Sequence, residues 1–354
     1  MFPVSVCIIA KNEEKKIERC LKSIAPYRFE IVLVDTGSTD RTKEIALKYT
    51  PNIYDFQWKN DFSAARNFSL SKASNPWIFM LDCDEWIESL DLEELQYFRK
   101  NLSDAAGSVT RINITGTPEN PGETADRTER FFDRRKYHYT GIIHEQLTPK
   151  FQNNFETFLL NTTIGHDGYL MTEKERLLKS ERNITLLKKQ LEETPDNPYV
   201  LYQTGKGYEM IHDFKTACDY FKQAFHMKLN PELAYVQSLT FSYTDSLLQT
   251  KQEKEALTLL PFLNTFEKSA DASYYSGIIY YANKMYDSAL DCFENALTFP
   301  SSRISGANSF LSYYKIGCIL SLIQEWETAK HYFLLCGDYP PAKNALNVLK
   351  ENGL

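Results

Sequence analysis

Asp82 and Asp84 are the residues of this chain whose type and spacing point most directly to chemistry. They close the run Trp77-Ile78-Phe79-Met80-Leu81, which follows Pro76 and reads as a buried strand whose C-terminal end opens into a site. Side chains alternate along a strand, so the two carboxylates should point the same way and Cys83 the other. Converging carboxylates repel unless a positive charge lies between them. A hard divalent cation, Mg²⁺ or Mn²⁺, takes oxygen ligands and completes its shell with water and a substrate diphosphate. That arrangement suits departure of a nucleoside diphosphate from a sugar. An isolated Asp-x-Asp also fits a solvated turn after a core strand, so the decision rests on what surrounds it.

The elements before this strand repeat one unit. Val4 to Ala10 is an uncharged β-rich run that stops at Lys11-Asn12-Glu13-Glu14, and a helix pattern follows through Ile17, Cys20, Leu21 and Ile24 to Pro26. Glu30 to Val34 is a second strand, closed by Asp35-Thr36-Gly37-Ser38-Thr39-Asp40, a turn with helix-capping residues. A third strand spans Asn52 to Trp58, and Asp61-Phe62-Ser63-Ala64-Ala65-Arg66-Asn67 opens the next helix. Repeated βα units imply an α/β fold with a mainly parallel sheet and helices on both faces. Ligands of such sheets sit beyond the carboxyl ends of the strands. Asn12, Glu13, Asp35, Asp82 and Asp84 therefore share one rim.

Composition narrows the class. The 354 residues are enough for two domains, and a net charge of −7 argues against a nucleic-acid-binding surface. No apolar run approaches the ~20 residues of a membrane span, and no basic segment precedes the first apolar run. We therefore expect no export or anchoring and a cytoplasmic location. The seven cysteines show no Cys-x-x-Cys spacing, which suits reduced core thiols rather than zinc ligands or disulfides.

Past the acidic strand, Leu92 to Phe98 reads as a helix, Ser108 to Thr115 as an alternating strand, and Thr117 to Asp126, with its prolines and Gly122, as a mobile loop. Arg127, Arg130, Arg134, Arg135 and Lys136 form a local excess of cations that could face a diphosphate. His144-Glu145 closes the run Tyr139 to Ile143, and His166 stands in Ile164-Gly165-His166-Asp167-Gly168. A charged amphipathic helix begins at Thr172. Beyond it an internal repeat appears. Gly205, Ala217, Phe221 and Ala224 are matched at the same intervals by Gly277, Ala289, Phe293 and Ala296, and by Gly317, Ala329, Phe333 and Cys336. A fainter copy centres on Ala256, Leu260 and Leu263. Small residues let helices approach closely and aromatics fill the groove between them, so these are tetratricopeptide-like helix pairs, stacked in enough copies for stability.

Four segments in register, Ser5 to Glu14, Val34 to Asp40, Asp61 to Asn67 and Leu81 to Glu85, resemble the GT-A glycosyltransferases of family 2. The resemblance covers roughly the first 170 residues and implies a donor site in which Ala10 and Glu13 line the base pocket. It further implies that Asp35 bonds the base or ribose, Arg66 reaches the nucleotide, and Asp82 meets the ribose or a metal-bound water, with Asn12 and Cys83 completing the donor-binding set. Asp84 would hold the metal. In related enzymes a histidine from the C-terminal side of the domain completes the metal shell, and His166 is the candidate here. Family members also place an Ile-His-Glu segment after an Arg-x-Phe strand, here Arg130-Phe131-Phe132. Inversion needs a general base on the acceptor's side of the sugar; Glu145 is the candidate, with His144 orienting it or holding substrate.

The pairing of this head with helical repeats is similar to the bacterial family 2 subgroup with C-terminal tetratricopeptide repeats, which includes peptide S-glycosyltransferases of glycosylated bacteriocins. It implies a catalytic domain over 1–170, a linking helix over 171–197 and a repeat domain over 198–354. The expected activity is inverting, metal-dependent transfer of glucose or N-acetylglucosamine from a UDP-sugar to a Cys or Ser of a peptide engaged by the repeats. Exposed repeat faces also leave room for a homodimer. A lipopolysaccharide or other cell-surface glycan acceptor is one alternative; a peptide-binding scaffold with an inactive transferase domain is another.

Overall fold

The structure, a computed structural model, describes residues 3–117, 120–151, 156–266 and 269–353. The chain divides into two units, Met1–Glu193 and Thr194–Leu354.

The first unit begins in the order read from sequence: β1 (Val4–Ala10), α1 (Ile17–Ile24), β2 (Glu30–Asp35), α2 (Thr42–Ala46), β3 (Ile53–Asp55, shorter than the expected Asn52 to Trp58), α3 (Phe62–Lys72) and β4 (Trp77–Asp82). Then come β5 (Glu85–Ser89), α4 (Leu92–Asn101), β6 (Ala106–Thr117), β7 (Asn120–Asp133), β8 (Tyr137–Thr140), β9 (Gln146–Pro149), β10 (Thr157–His166) and α5 (Glu173–Glu193). Eight strands form one sheet in the order β3-β2-β1-β4-β7-β6-β10-β5, and β8 and β9 form a separate hairpin. Strands β1 to β4 run parallel, with Ala10 opposite Asp35 and Ile9 opposite Asp82. Because β7 is antiparallel to both β4 and β6, and β10 is parallel to β6, the C-terminal end of β10 returns to the same rim. This is how His166, far along the chain, reaches the acidic strand end.

Alternation along β1 divides the core. Val4, Val6 and Ile8 pack with Ile17, Cys20, Leu21 and Ile24 of α1 and with Leu95 and Phe98 of α4, while Cys7 packs with Leu70 of α3 and Tyr137 and Tyr139 of β8. Helix α3 starts where it does because Asp61 caps it, accepting the Ala64 amide at 2.9 Å. Among the described residues all seven cysteines are free, and no helix is long and apolar enough to cross a membrane.

The segment expected to be a mobile loop is ordered differently. Residues 118–119 lie outside the described residues, but Asn120 to Asp126 belong to β7 and pair in antiparallel register with β6, Glu123 against Ile114 and Asp126 against Arg111. The run from Glu123 to Glu129 is polar on both faces and exposed for most of its length, so it lacks the apolar alternation that marks a half-buried strand.

The second unit is built from helix pairs: α6 (Pro198–Met210) with α7 (Phe214–Phe225), α8 (Ala234–Gln249) with the short α9 (Glu253–Ala256) and α10 (Leu260–Leu263), α11 (Ala270–Ala282) with α12 (Tyr286–Leu297), and α13 (Phe310–Leu322) with α14 (Trp326–Leu335), followed by α15 (Pro340–Glu351). A Cβ on Gly205, Gly277 or Gly317 would lie 2.3, 2.7 or 2.6 Å from the ring of Phe221, Phe293 or Phe333 respectively, so each glycine seats the aromatic of its own pair. The fainter copy is a real repeat, with buried Thr244 where the others have glycine. Its second helix is interrupted by a 3₁₀ turn at Leu257–Leu259, next to Pro261. All four pairs turn on a left-handed residue: His212, Lys251, Lys284 and Gln324, at φ of 61, 58, 61 and 66°.

Gly277→Ala should therefore lower stability by about 1–3 kcal/mol through overpacking against Phe293, whereas Lys284→Gly should raise it by up to about 1 kcal/mol by relieving a left-handed side-chain residue. Thermal unfolding of the two variants beside wild type reads both signs.

Candidate active site

Asp82, the last residue of β4, is held by two guanidiniums. Arg66 from α3 lies 2.8 Å from one carboxylate oxygen, and Arg130 from β7 donates to the other at 3.0 Å. Arg130 also pairs with Glu85, which is fully buried. Burial alone would push the Asp82 carboxyl up, but the two arginines hold it far below the usual carboxylate range. The repulsion expected between Asp82 and Asp84 is thus relieved on the Asp82 side by arginines. Arg66 pairs in addition with Glu145 and lies over the Tyr139 ring at 5.4 Å.

Asp84 sits in the turn between β4 and β5. Its Oδ2 faces His166 Nε2 at 3.6 Å, and the His166 Nδ1 lies 2.7 Å from the Asn113 side-chain oxygen of β6. A proton on Nδ1 donated to Asn113 leaves Nε2 as a bare acceptor toward a carboxylate, an arrangement that calls for a cation between them. A Cβ on Gly168 would come within 2.3 Å of Asp84 Oδ2 and 2.4 Å of His166 Nε2. Only glycine leaves that cradle open. The alternative occupant of that gap is a proton on Nε2: against burial, which pushes the Asp84 carboxyl up, a hydrogen bond and charge from His166 with the charge of Lys16 then hold it below its ordinary value. Two protein ligands plus diphosphate and water suit Mg²⁺ or Mn²⁺, so the donor set fits such an ion. No cluster of three or more His, Cys, Asp or Glu ligands occurs among the described residues.

The loops after β1 and β2 are laced together. Asn12, left-handed at φ 57°, accepts the Thr39 amide at 2.8 Å through its side chain and donates its own amide to Ser38 at 2.9 Å. The Glu13 amide donates to the Thr42 hydroxyl at 2.7 Å. Burial, then the charge of Asp84, pushes the Glu13 carboxyl up to about 7. Asp35 is 2% exposed; its Oδ2 accepts the amides of Gly37 and Ser38 at 3.1 and 3.0 Å, while its Oδ1 is buried without a partner among the described residues. A buried orphan acceptor beside Ala10 is available to a ligand donor group.

His144 and Glu145 do not close a strand. They lie in the connection between β8 and β9, with His144 left-handed at φ 50°. Asn67 ties β8, from which that connection leaves, to α3 through a reciprocal pair with Tyr139, its side-chain amide donating to the Tyr139 carbonyl at 2.8 Å and accepting the Tyr139 backbone amide at 2.9 Å. The Phe62 amide donates to the Ile142 carbonyl at 2.8 Å.

Two expectations fail here. Cys83 turns away from the rim into the core, its thiol 3.3 Å from the Ile9 carbonyl, as alternation demands. Nor do the cations after Gly122 gather into one surface facing a diphosphate, although Arg130 reaches the rim. Arg130 is committed to Asp82 and Glu85, Arg135 to Asp133, Lys136 to Asp104, and Arg134 to the Asn75 carbonyl. Asn113 and Gly168 escaped the sequence reading. An asparagine among the apolar residues of β6 and the glycine two places after His166 were the available signals.

Residues 5–171 match the family model described as glycosyl transferase family 2. The chain is similar to the SPbeta prophage-derived glycosyltransferase SunS of Bacillus subtilis, 28% identical over 342 residues that span 93% of this chain and 79% of that one. A TPR repeat-containing protein of Synechococcus elongatus is 27% identical over 71% of this chain and 63% of its own length. The lipopolysaccharide core biosynthesis glycosyltransferase LpsC of Rhizobium meliloti is 31% identical over 42% of this chain and 58% of its own. With the mainly parallel sheet, the rim carboxylates and the four helix pairs already in place, residues 5–171 are a family 2 glycosyltransferase domain of the GT-A fold, followed by tetratricopeptide-like repeats.

Proposed function

We propose inverting, metal-dependent transfer of glucose or N-acetylglucosamine from a UDP-sugar to a cysteine or serine side chain of a peptide, such as a bacteriocin precursor. The observation that carries this reading is the facing of Asp84 and His166 across 3.6 Å, with Asn113 behind the histidine and Gly168 leaving room between them. Mg²⁺ or Mn²⁺ held there would offset the negative charge that gathers on the departing diphosphate. The chain's own residues do the rest. The free oxygen of Asp35 accepts from the base, beside Ala10, Asn12 and Glu13. Asp82, fixed by Arg66 and Arg130, receives the ribose. Cys83 supports the site only from the core side.

Glu145 is the proposed general base, with His144 beside it on the acceptor's side. Its pairing with Arg66 bears on the acceptor. Arg66 already occupies one oxygen of that carboxylate, which leaves less of it free to take a proton from the acceptor, so the site suits a nucleophile that needs little help. A cysteine thiol, with an ordinary pKa of about 8.5, is such a nucleophile and a serine hydroxyl is not. Stacked helix pairs suit an extended peptide, which supports the repeats as the acceptor's holding surface. The similarity to LpsC keeps a glycan acceptor as the second reading, though it extends over only 42% of this chain.

Asp84→Asn should cut metal-stimulated hydrolysis of UDP-sugar by roughly 100-fold or more without changing the circular dichroism spectrum; wild-type turnover would remove Asp84 from the metal site. Asn113→Ala should raise the Mn²⁺ concentration for half-maximal turnover by about 10–100-fold, the usual cost of losing a ligand's outer partner. Glu145→Gln should slow transfer to a serine peptide more than to its cysteine counterpart, and unchanged rates on both would eliminate Glu145 as the base.

A further inference from the structure

Helix α5 was expected only to link two domains, yet within the first unit it fastens the loops of the site. Lys179 donates to the Gly168 carbonyl at 3.2 Å, and Gln190, three turns further on, accepts the Ile142 and Ile143 amides at 3.0 and 3.4 Å. Arg182, on the same helix face as Lys179, lies over the ring of Phe62 at 5.6 Å, at the start of the helix that carries Arg66.

The charge state of these two residues is the notable feature. Among the described residues no carboxylate comes within ion-pair distance of Lys179 or Arg182, although nearby Lys16 and Arg19 are both paired with Asp167, at 3.1 and 2.6 Å. The Lys179 ammonium is half-buried, stands 5.4 Å over the Tyr169 ring and satisfies one of its three donors with a neutral carbonyl. Arg182 is exposed and, among the described residues, bonds only the neutral side chain of Asn183, at 2.9 and 3.2 Å. Burying a cation without an anion is costly, so Lys179, the half-buried one of the two, marks the place where an anionic ligand belongs. The carbonyl that anchors Lys179 is that of Gly168, the residue packed against Asp84 Oδ2 and His166 Nε2.

We infer that Lys179, with Arg182 one turn on, is the protein's own cation for the donor diphosphate, lying beside the Asp84–His166 pair and contributed by the helix that follows the catalytic domain. The inference rests on the donor reading given above and assigns the phosphate contact that the arginines after Gly122 do not supply. An ammonium there makes charge-assisted hydrogen bonds to phosphate oxygens and supports the leaving group as the sugar–oxygen bond breaks. Burial pulls Lys179 below its ordinary value while Asp84 opposes the shift, consistent with a desolvated cation in an acidic rim.

The test is titration of the full-length protein with UDP and with uridine in the presence of Mn²⁺, by calorimetry for UDP and ligand-observed NMR for uridine. Lys179→Met should weaken UDP at least about tenfold, leave uridine unchanged, and be largely rescued by Lys179→Arg. Lys174→Met, an exposed lysine on the same helix, should bind UDP as wild type does. If wild type binds UDP only with Mn²⁺ and Lys179→Met binds it equally well, the Lys179 assignment falls and the donor site stands. Equal weakening toward UDP and uridine would also overturn a diphosphate role. Failure of wild type to bind UDP would overturn the donor reading together with the inference.

Discussion

The rim depends on how negative charge is held at the end of β4. Asp82, Asp84 and Glu85 come within four residues of one another, too close to coexist as anions without compensation. Arg66 and Arg130 take one oxygen each of Asp82, and Arg130 reaches on to buried Glu85. These contacts join α3, β4, β5 and β7, so the same ion pairs that neutralise the rim also set the spacing of the elements around it. Removing one partner from such a buried network leaves an uncompensated charge, a loss of about 3–5 kcal/mol. Asp84, left outside the clamp, keeps its carboxylate turned toward His166.

Much of this was legible in the sequence because the signals were local. The runs Val4–Ala10, Glu30–Asp35 and Trp77–Asp82 are apolar, short and punctuated by turn residues, and each is the strand it resembles. Position on the rim followed from strand direction alone. His166 was harder, since its arrival depends on β7 reversing direction so that β10 can run parallel to β6. What the sequence did not disclose was partnership. An excess of arginines and lysines after Gly122 reads as one cationic surface, yet the pleat and the turn send Arg130 inward and Arg135 and Lys136 to acids beside them. Charge composition counts ions; only the fold assigns their counterions. The polar strand β7 was missed for a related reason, since its order comes from pairing with β6 rather than from burying an apolar face.

The link between β8 and β9 shows how a short loop can be specified from a distance. The connection carrying His144 and Glu145 has little regular structure of its own. It is fixed by Asn67 through the end of β8, by the Phe62 amide at its flank and by Gln190 from α5. The Asp61–Asn67 segment thus caps a helix, supplies Arg66 to the rim and ties down the neighbouring hairpin, three tasks for seven residues.

The four left-handed corners of the helical unit carry a consequence for how its length can vary. Each corner falls seven residues after the small or buried residue at the helix crossing, from Gly205 to His212, Thr244 to Lys251, Gly277 to Lys284 and Gly317 to Gln324. The stretches from one corner to the next are unequal. The differences in spacing fall in the connectors between hairpins while the inside of each hairpin keeps one register, so segments such as the one joining α12 to α13 are where the array can be lengthened or spliced without disturbing any ring-on-glycine contact.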